Sequence, residues 1–196
     1  MNREQTIHAL DSGAVMAECG PMRLVISSFV GKVPQREMNI RAAKESFSFL
    51  ARVSAVKDRL QHPLKSVPDD LSEPIAREMV RSACMIGDPQ LTPMAAVAGS
   101  LAAATADFLF DRGMTRVIVN NGGDIAVRLA GGQKVRVGVR DDVTRNSWSR
   151  VIALDAGRTS WGVATSGLGG RSFTSGIASA ATVIAATASV ADAAAT

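Results

Sequence analysis

Leu91–Gly113, LTPMAAVAGSLAAATADFLFDRG, decides how the rest of this chain is read. Between Met94 and Ala106 it carries no charged residue. Thr92 is placed to cap a helix, Pro93 suits the first helical position, and Gly113 suits its end. A helix apolar on nearly every side is buried on nearly every side, so this one is expected to be central. The other elements must then be ones that can pack around it.

On the N-terminal side, RLVISSFV (Arg23–Val30) has the β-branched and aromatic content of a strand. From Met38 to Leu60 the spacing turns helical, with Phe49, Val53, Val56 and Leu60 on one stripe. The prolyl stretch HPLKSVPDD ends that segment. Ser72 is the expected N-cap of a second helix, with Glu73 and Pro74 in its first turn. Ile75, Met79, Ala83 and Ile86 form its apolar stripe, and Gly87 and Pro89 stop it.

Beyond Gly113 the pattern changes to short strands: RVIVN, DIAVRLA, KVRVGVR, WSRVIALD and WGVAT, separated by Gly, Asp and Asn. AVRLAGGQKVRV reads as a hairpin turning at Gly131 and Gly132. ATVIAATASVADAAAT begins as a strand and is expected to become helical around Ala186. Helices first and an antiparallel sheet afterwards indicate an α+β fold, a single domain over residues 1–196 with helices packed on the sheet. The last helix reaches Thr196 without a Gly, Lys or Arg stop signal, so the domain is expected to continue past it.

Composition narrows the function. The chain has 196 residues, 46% of them hydrophobic and 20% charged, which suits a globular core. Aromatics are 4% with no tyrosine, so aliphatics, alanine and glycine must close that core. The net charge of +4 is mild and the basic residues are scattered, as in RNSWSR and KVRVGVR, which argues against a nucleic-acid surface. Cys19 and Cys84 lack CxxC spacing, and His8 and His62 lack partners at metal-ligand spacing, so zinc and Cys/His chemistry are unsupported. The N-terminal stretch has no signal-peptide core, and the apolar run Ile177–Ala191 is too short for a membrane span. A cytoplasmic protein is expected.

Three clusters can carry chemistry. In NNGGDIAV (Asn120–Val127) two glycines beside Asn121 and Asp124 make a turn that can approach a ligand or serve only as a tight turn. In ATSGLGGRSFTSG (Ala164–Gly176) the hydroxyls of Thr165, Ser166 and Thr174, the amides around Gly167, Gly169 and Gly170, and the charge of Arg171 suit a phosphate; a bare glycine-rich loop is the alternative. In SVADAAAT, Asp192 and Thr196 stand one helical turn apart and can offer two oxygens to a hard cation such as Mg²⁺. A buried, unpaired carboxylate there would cost several kcal/mol, on the order of what a cation must offset. On an exposed helix face it would need no explanation.

The order of these clusters resembles the ApbE superfamily, whose characterised members are FAD-dependent FMN transferases. A glycine-containing buried helix is followed by VNNGGDI, then ATSG, then TVIAATASVADAAAT, over roughly Pro93 to Thr196. LTPMAAVAGSLA looks closer still to the UPF0280 (DUF375-type) branch. The resemblance implies an ApbE-like, T-fold-like architecture and Mg²⁺ at Asp192 and Thr196. It further implies an FAD or FMN site lined by Gly122, Gly123, Asp124, Thr165, Ser166 and Gly167. The transferases pass FMN to a threonine of an acceptor protein, which implies a protein partner, and self-association is left open.

The departures are equally specific. The transferases carry H-x-x-D-P-x-T-G shortly after T-S-G, where this chain reads RSFTSGIASAATV. VAGSLAAA also lacks the lysine of their upstream helix. Loss of a general base lowers rates by about two to four orders of magnitude. The expectation is therefore a protein that binds a flavin or related phosphorylated nucleotide with Mg²⁺. An active FMN transferase and an interaction module without a small ligand are the alternatives.

Overall fold

The computed structural model describes residues 4–66, 70–140, 147–168 and 177–196. Two short strands, β1 (Gln5–Ala9) and β2 (Val15–Cys19), precede β3 (Met22–Val30), which makes a brief pairing with β4 (Val33–Pro34). Helices α1 (Arg36–Ala55), α2 (Lys57–Leu60) and α3 (Pro74–Ile86) follow, then a 3₁₀ turn at Pro93–Ala96 leading into α4 (Val97–Phe110). Strands β5 (Arg116–Asn121), β6 (Asp124–Leu129), β7 (Lys134–Val139), β8 (Arg150–Asp155), β9 (Ser160–Ser166) and β10 (Ala181–Ala185) lead to α5 (Ala188–Ala195). The main sheet runs β1-β2-β3-β5-β6-β9-β10, with antiparallel pairing throughout. The α+β class and the antiparallel sheet are as expected, but the sheet begins before the helices.

Register explains the layers. Ile26 pairs with Val119, Val119 with Ala126, and Ala126 with Gly162, so these residues share one face of the sheet. On that face α1 packs over β2 and β3, α4 over β5 and β6, and α5 over β9 and β10, with α3 outside against α5 and α4. The opposite face, through Val127, Leu129 and Val163, packs on Val137 and Leu154 of a separate two-stranded unit formed by β7 and β8. Pro93–Phe110 is long and apolar enough to cross a membrane, but here it is the core element between sheet and helices.

Several local expectations change. β6 and β7 are not a hairpin. The Gly131–Gly132 turn forms, with Gly132 at φ 77°, yet β6 pairs with β5 and β9 while β7 pairs with β8. Glycines specify a reversal of the chain and say nothing about whether its arms stay together. The helix expected over Met38–Leu60 breaks at Val56. Glu73, not Ser72, caps α3, its carboxylate accepting from the Ala76 amide at 2.6 Å. Thr92 precedes the 3₁₀ turn and makes no side-chain cap. The strand read from Trp148 begins at Arg150.

Glycines set the closest approaches. A methyl group on Gly99 in α4 would collide with the backbone carbonyl of Ala188 and with the Cβ of Asp192. One on Gly162 in β9 would meet the carbonyl of Thr187. Helix α5 is thus held against both α4 and β9 at contact distances that no side chain permits. Gly99→Ala is expected to destabilise the fold by about 3 kcal/mol, at the upper end for overpacking because backbone must move. That corresponds to a melting temperature lower by about 6–12 °C for a chain of this size, measurable by circular dichroism.

Candidate functional site

The acidic residue of α5 is positioned by the helix crossing just described. α4 starts at Val97 behind Ala96, which has no capping side chain. Asp192 Oδ2 accepts the Gly99 amide at 2.8 Å and so caps α4 from another element. The first turn of a helix is a favourable place for a carboxylate. Asp192 is nevertheless partly buried, and desolvation together with the charge of Asp124 raises its pKa well above the usual carboxylate range. The Gly99 and Ala98 amides pull the other way.

Asp124 reaches this place through the β5–β6 turn. Gly122 and Gly123 both have positive φ, 68° and 123°, which a two-residue hairpin turn of this hand requires. Asn121 opposes Asp124 across the ladder, so both side chains project toward the helices. Burial pushes the Asp124 carboxyl up to about 7. Neither Asp124 nor Asp192 has an ion-pair partner among the described residues. Two acids facing each other without a cation are the electrostatic signature of this site.

Other members of the turn are committed to structure. Asn121 accepts the Arg23 amide at 3.3 Å and donates to the Ala98 carbonyl at 3.1 Å, tying β3 and β5 to the start of α4. The Gly123 amide donates to Asn120 Oδ1 at 2.8 Å and is spent inside the turn.

A cavity of about 970 Å³ wraps round this end of the sheet. Gly122, Gly123 and Asp124 line it together with Val97 and Ala98 of α4 and Lys57 of α2. Thr165 faces the same cavity, with its hydroxyl bonded to that of Thr182 at 2.9 Å. Ser166, the next residue, points to the opposite face because side chains alternate along a strand. Its hydroxyl is buried without a hydrogen-bond partner among the described residues, and Ser166 lines a smaller cavity of about 380 Å³ shared with Thr196 and Asp88. Gly167 borders both. Strand alternation thus divides the T-S-G segment between two cavities.

Thr196 Oγ1 lies 3.1 Å from the Asp192 carbonyl and 3.5 Å from that of Ala95, and donates toward this backbone pair. Asp192 is the member of the expected metal pair that faces the glycine turn. Gly169, Gly170, Arg171 and Thr174 lie outside the described residues. Among the described residues no group of three or more His, Cys, Asp or Glu side chains is close enough to enclose a metal ion. Arg23, Arg136, Arg140 and Trp148 line the large cavity, and none was marked as a site residue from sequence. KVRVGVR held the signal, since its alternation places Arg136 and Arg140 on one face.

With this geometry in view, comparison with known proteins identifies the lineage. The family model described as "AbpE bacteria" matches residues 7–196. The chain belongs to that family. A UPF0280 protein of Methanobrevibacter smithii is 35% identical over 136 residues, 68% of this chain and 54% of that protein. A UPF0280 protein of Methanosphaerula palustris is 34% identical over 162 residues, 80% of this chain and 66% of its own length. The chain therefore spans between about half and two thirds of these relatives. The likeness to the UPF0280 branch read from LTPMAAVAGSLA holds.

The raised carboxyls of the acid pair imply a pH dependence of stability. A carboxyl whose folded pKa is raised adds stability that is complete below its unfolded pKa, near 4, and vanishes as pH rises through about 7. Without divalent cations, stability is expected to fall from pH 5 to pH 8. Asp124→Asn should remove its own share of that slope together with its repulsion on Asp192, and exceed the parent at pH 8 by roughly 1–2 kcal/mol once solvent screening is allowed for. Thermal melting in a chelator across this range checks it; parallel curves for parent and variant would contradict it.

Proposed function

We propose that this chain binds a phosphorylated flavin or related nucleotide together with Mg²⁺, in the large cavity at the β5–β6 turn. The observation that carries this reading is the meeting of Asp124 and Asp192 at the start of α4, two carboxylates raised by burial beside a cavity of about 970 Å³. Two oxygen-donor side chains suit Mg²⁺, which binds few protein ligands and completes its shell with water and substrate phosphate. When bound, the ion supplies charge neutralisation between these acids and the phosphate. The protein's part is positioning. Asp192 is fixed by the Gly99 amide, and Asp124 by the turn that Asn120 closes. The cavity volume lies at the upper end of the usual range for small-molecule sites.

Catalytic transfer is not part of this reading. Neither His8 nor His62 lines the cavity, and the segment after Gly167 lacks the histidine motif of the FMN transferases. The motif resemblance to the ApbE superfamily supports the choice of ligand class, and family membership is compatible with it.

Melting with FAD, FMN and ADP, each with and without Mg²⁺, tests the proposal. Ligand at a hundred times its Kd stabilises by about 2.7 kcal/mol, so a rise of about 5–10 °C is expected with FAD and Mg²⁺ together. Asp192→Asn keeps an oxygen for the Gly99 amide but weakens cation binding, and should abolish the Mg²⁺-dependent part. No shift under any of these conditions ends the reading.

A further inference from the structure

The β7–β8 unit lies outside the main sheet, and its side toward the cavity has a composition of its own. Along β7, Val135 and Val137 pack toward the sheet, so Arg136, Gly138 and Arg140 alternate onto the other side. Trp148 lies over Gly138: a methyl group there would sit 2.8–3.0 Å from the indole atoms Cδ2, Cγ and Cε2. Only glycine leaves room for the ring. Both hydrogen-bonding groups of the next residue hold the chain in place, since the Ser149 amide and hydroxyl reach the Val139 carbonyl at 2.9 and 3.1 Å. Yet Trp148 remains 70% exposed, and it lines the large cavity with Arg136 and Arg140. Neither arginine has an ion-pair partner among the described residues.

We propose that Trp148, laid over Gly138 and flanked along the strand by Arg136 and Arg140, is the platform on which a planar ring of the bound ligand stacks. The indole lies against Gly138, and its large exposure leaves ring surface available at the cavity lining. Residues two apart on a strand stand about 7 Å to either side of the central one, which places Arg136 and Arg140 on either side of the glycine beneath the ring. Aromatic stacking supplies attraction without ordering a flexible side chain, and the arginines answer the negative charge of a phosphorylated ring system. The platform lies across the cavity from no other described tryptophan: Trp161, the second in the chain, packs with the β7–β8 core and donates to the Asp155 carbonyl. The ligand class rests on the proposed function; the stacking geometry does not.

Riboflavin, FMN and AMP separate ring from phosphate and flavin from purine. Binding is read from flavin anisotropy and from quenching of tryptophan emission. FMN affinity should fall about tenfold in Trp148→Ala, as for loss of one stacked base, and be largely retained in Trp148→Phe. Gly138→Ala should reproduce the loss by displacing the indole, with a native circular dichroism spectrum. Arg136→Gln and Arg140→Gln should weaken FMN while leaving riboflavin unchanged. AMP binding with the same dependence on Trp148, in place of flavin, supports the platform and identifies its ring as a purine.

The platform is overturned if Trp148→Ala binds as the parent does. If FAD and Mg²⁺ binding then still depends on Asp192, the proposed function survives that result. Trp148-dependent binding that ignores Mg²⁺ and Asp192 sustains the platform and removes the metal reading. Failure of all three probes to bind the parent overturns the platform outright.

Discussion

The crossing of α5 over α4 at Gly99 is the constraint on which the rest of this structure turns. Because no side chain stands between the helices, the carboxylate of Asp192 reaches an amide in the first turn of α4. α4 has no cap of its own, so the last helix of the chain completes the central one. This ties the C-terminal residues to the core through a contact of long sequence separation. The same crossing brings the acid toward the hairpin turn that carries Asp124. A polar group that helps close the fold is thereby left facing another acid.

That arrangement has opposite consequences for stability and for binding. Asp192 is favoured locally by the amides at the helix start, whereas burial disfavours the charge on Asp124. Together they repel, and partial burial denies them the water that would screen the repulsion. A site held in this state gains most from a ligand that brings positive charge between the two acids. The surrounding fold is built to bear the strain. Asn121 clamps β3, β5 and α4 at once, and Arg128 secures α4 to β6 through Asp107 at 2.6 Å.

The sequence showed most where one physical reason dominated. The buried helix was legible because its run of uncharged residues allows no exposed face, and the final strand-to-helix change was legible from composition, with Thr187 as the actual cap. Strands β1 and β2 were not legible. QTIHA is an edge strand, largely exposed, without the apolar alternation that marks a half-buried one. The partner of β7 was misjudged because turn residues encode the reversal and tertiary packing chooses the pairing. At the site, Asp192 and the glycine turn came from local pattern, whereas the arginines and Trp148 came together only through the placement of a detached hairpin. Ser166 and Thr165 were treated as one cluster, although strand periodicity alone separates them.

Both faces of the sheet contribute to the large cavity. Asp124 projects toward the helices, while Thr165 and the β7–β8 unit belong to the opposite face. The cavity therefore reaches round the end of β5 and β6, at the turn that joins them. Two adjacent glycines there permit the turn's dihedral angles and line the cavity. The detached hairpin is what makes the second face useful. Had β7 remained paired to β6, as its sequence suggests, Gly138 and its tryptophan would have been one more rung of the main sheet. By leaving β6 and pairing with β8, β7 stands apart from the sheet and carries two arginines on the side away from the valines that pack on it, with the indole over Gly138 between them. Asp124, Arg23, Lys57, Arg136 and Arg140 all line the cavity, so it offers charges of both signs to whatever fills it.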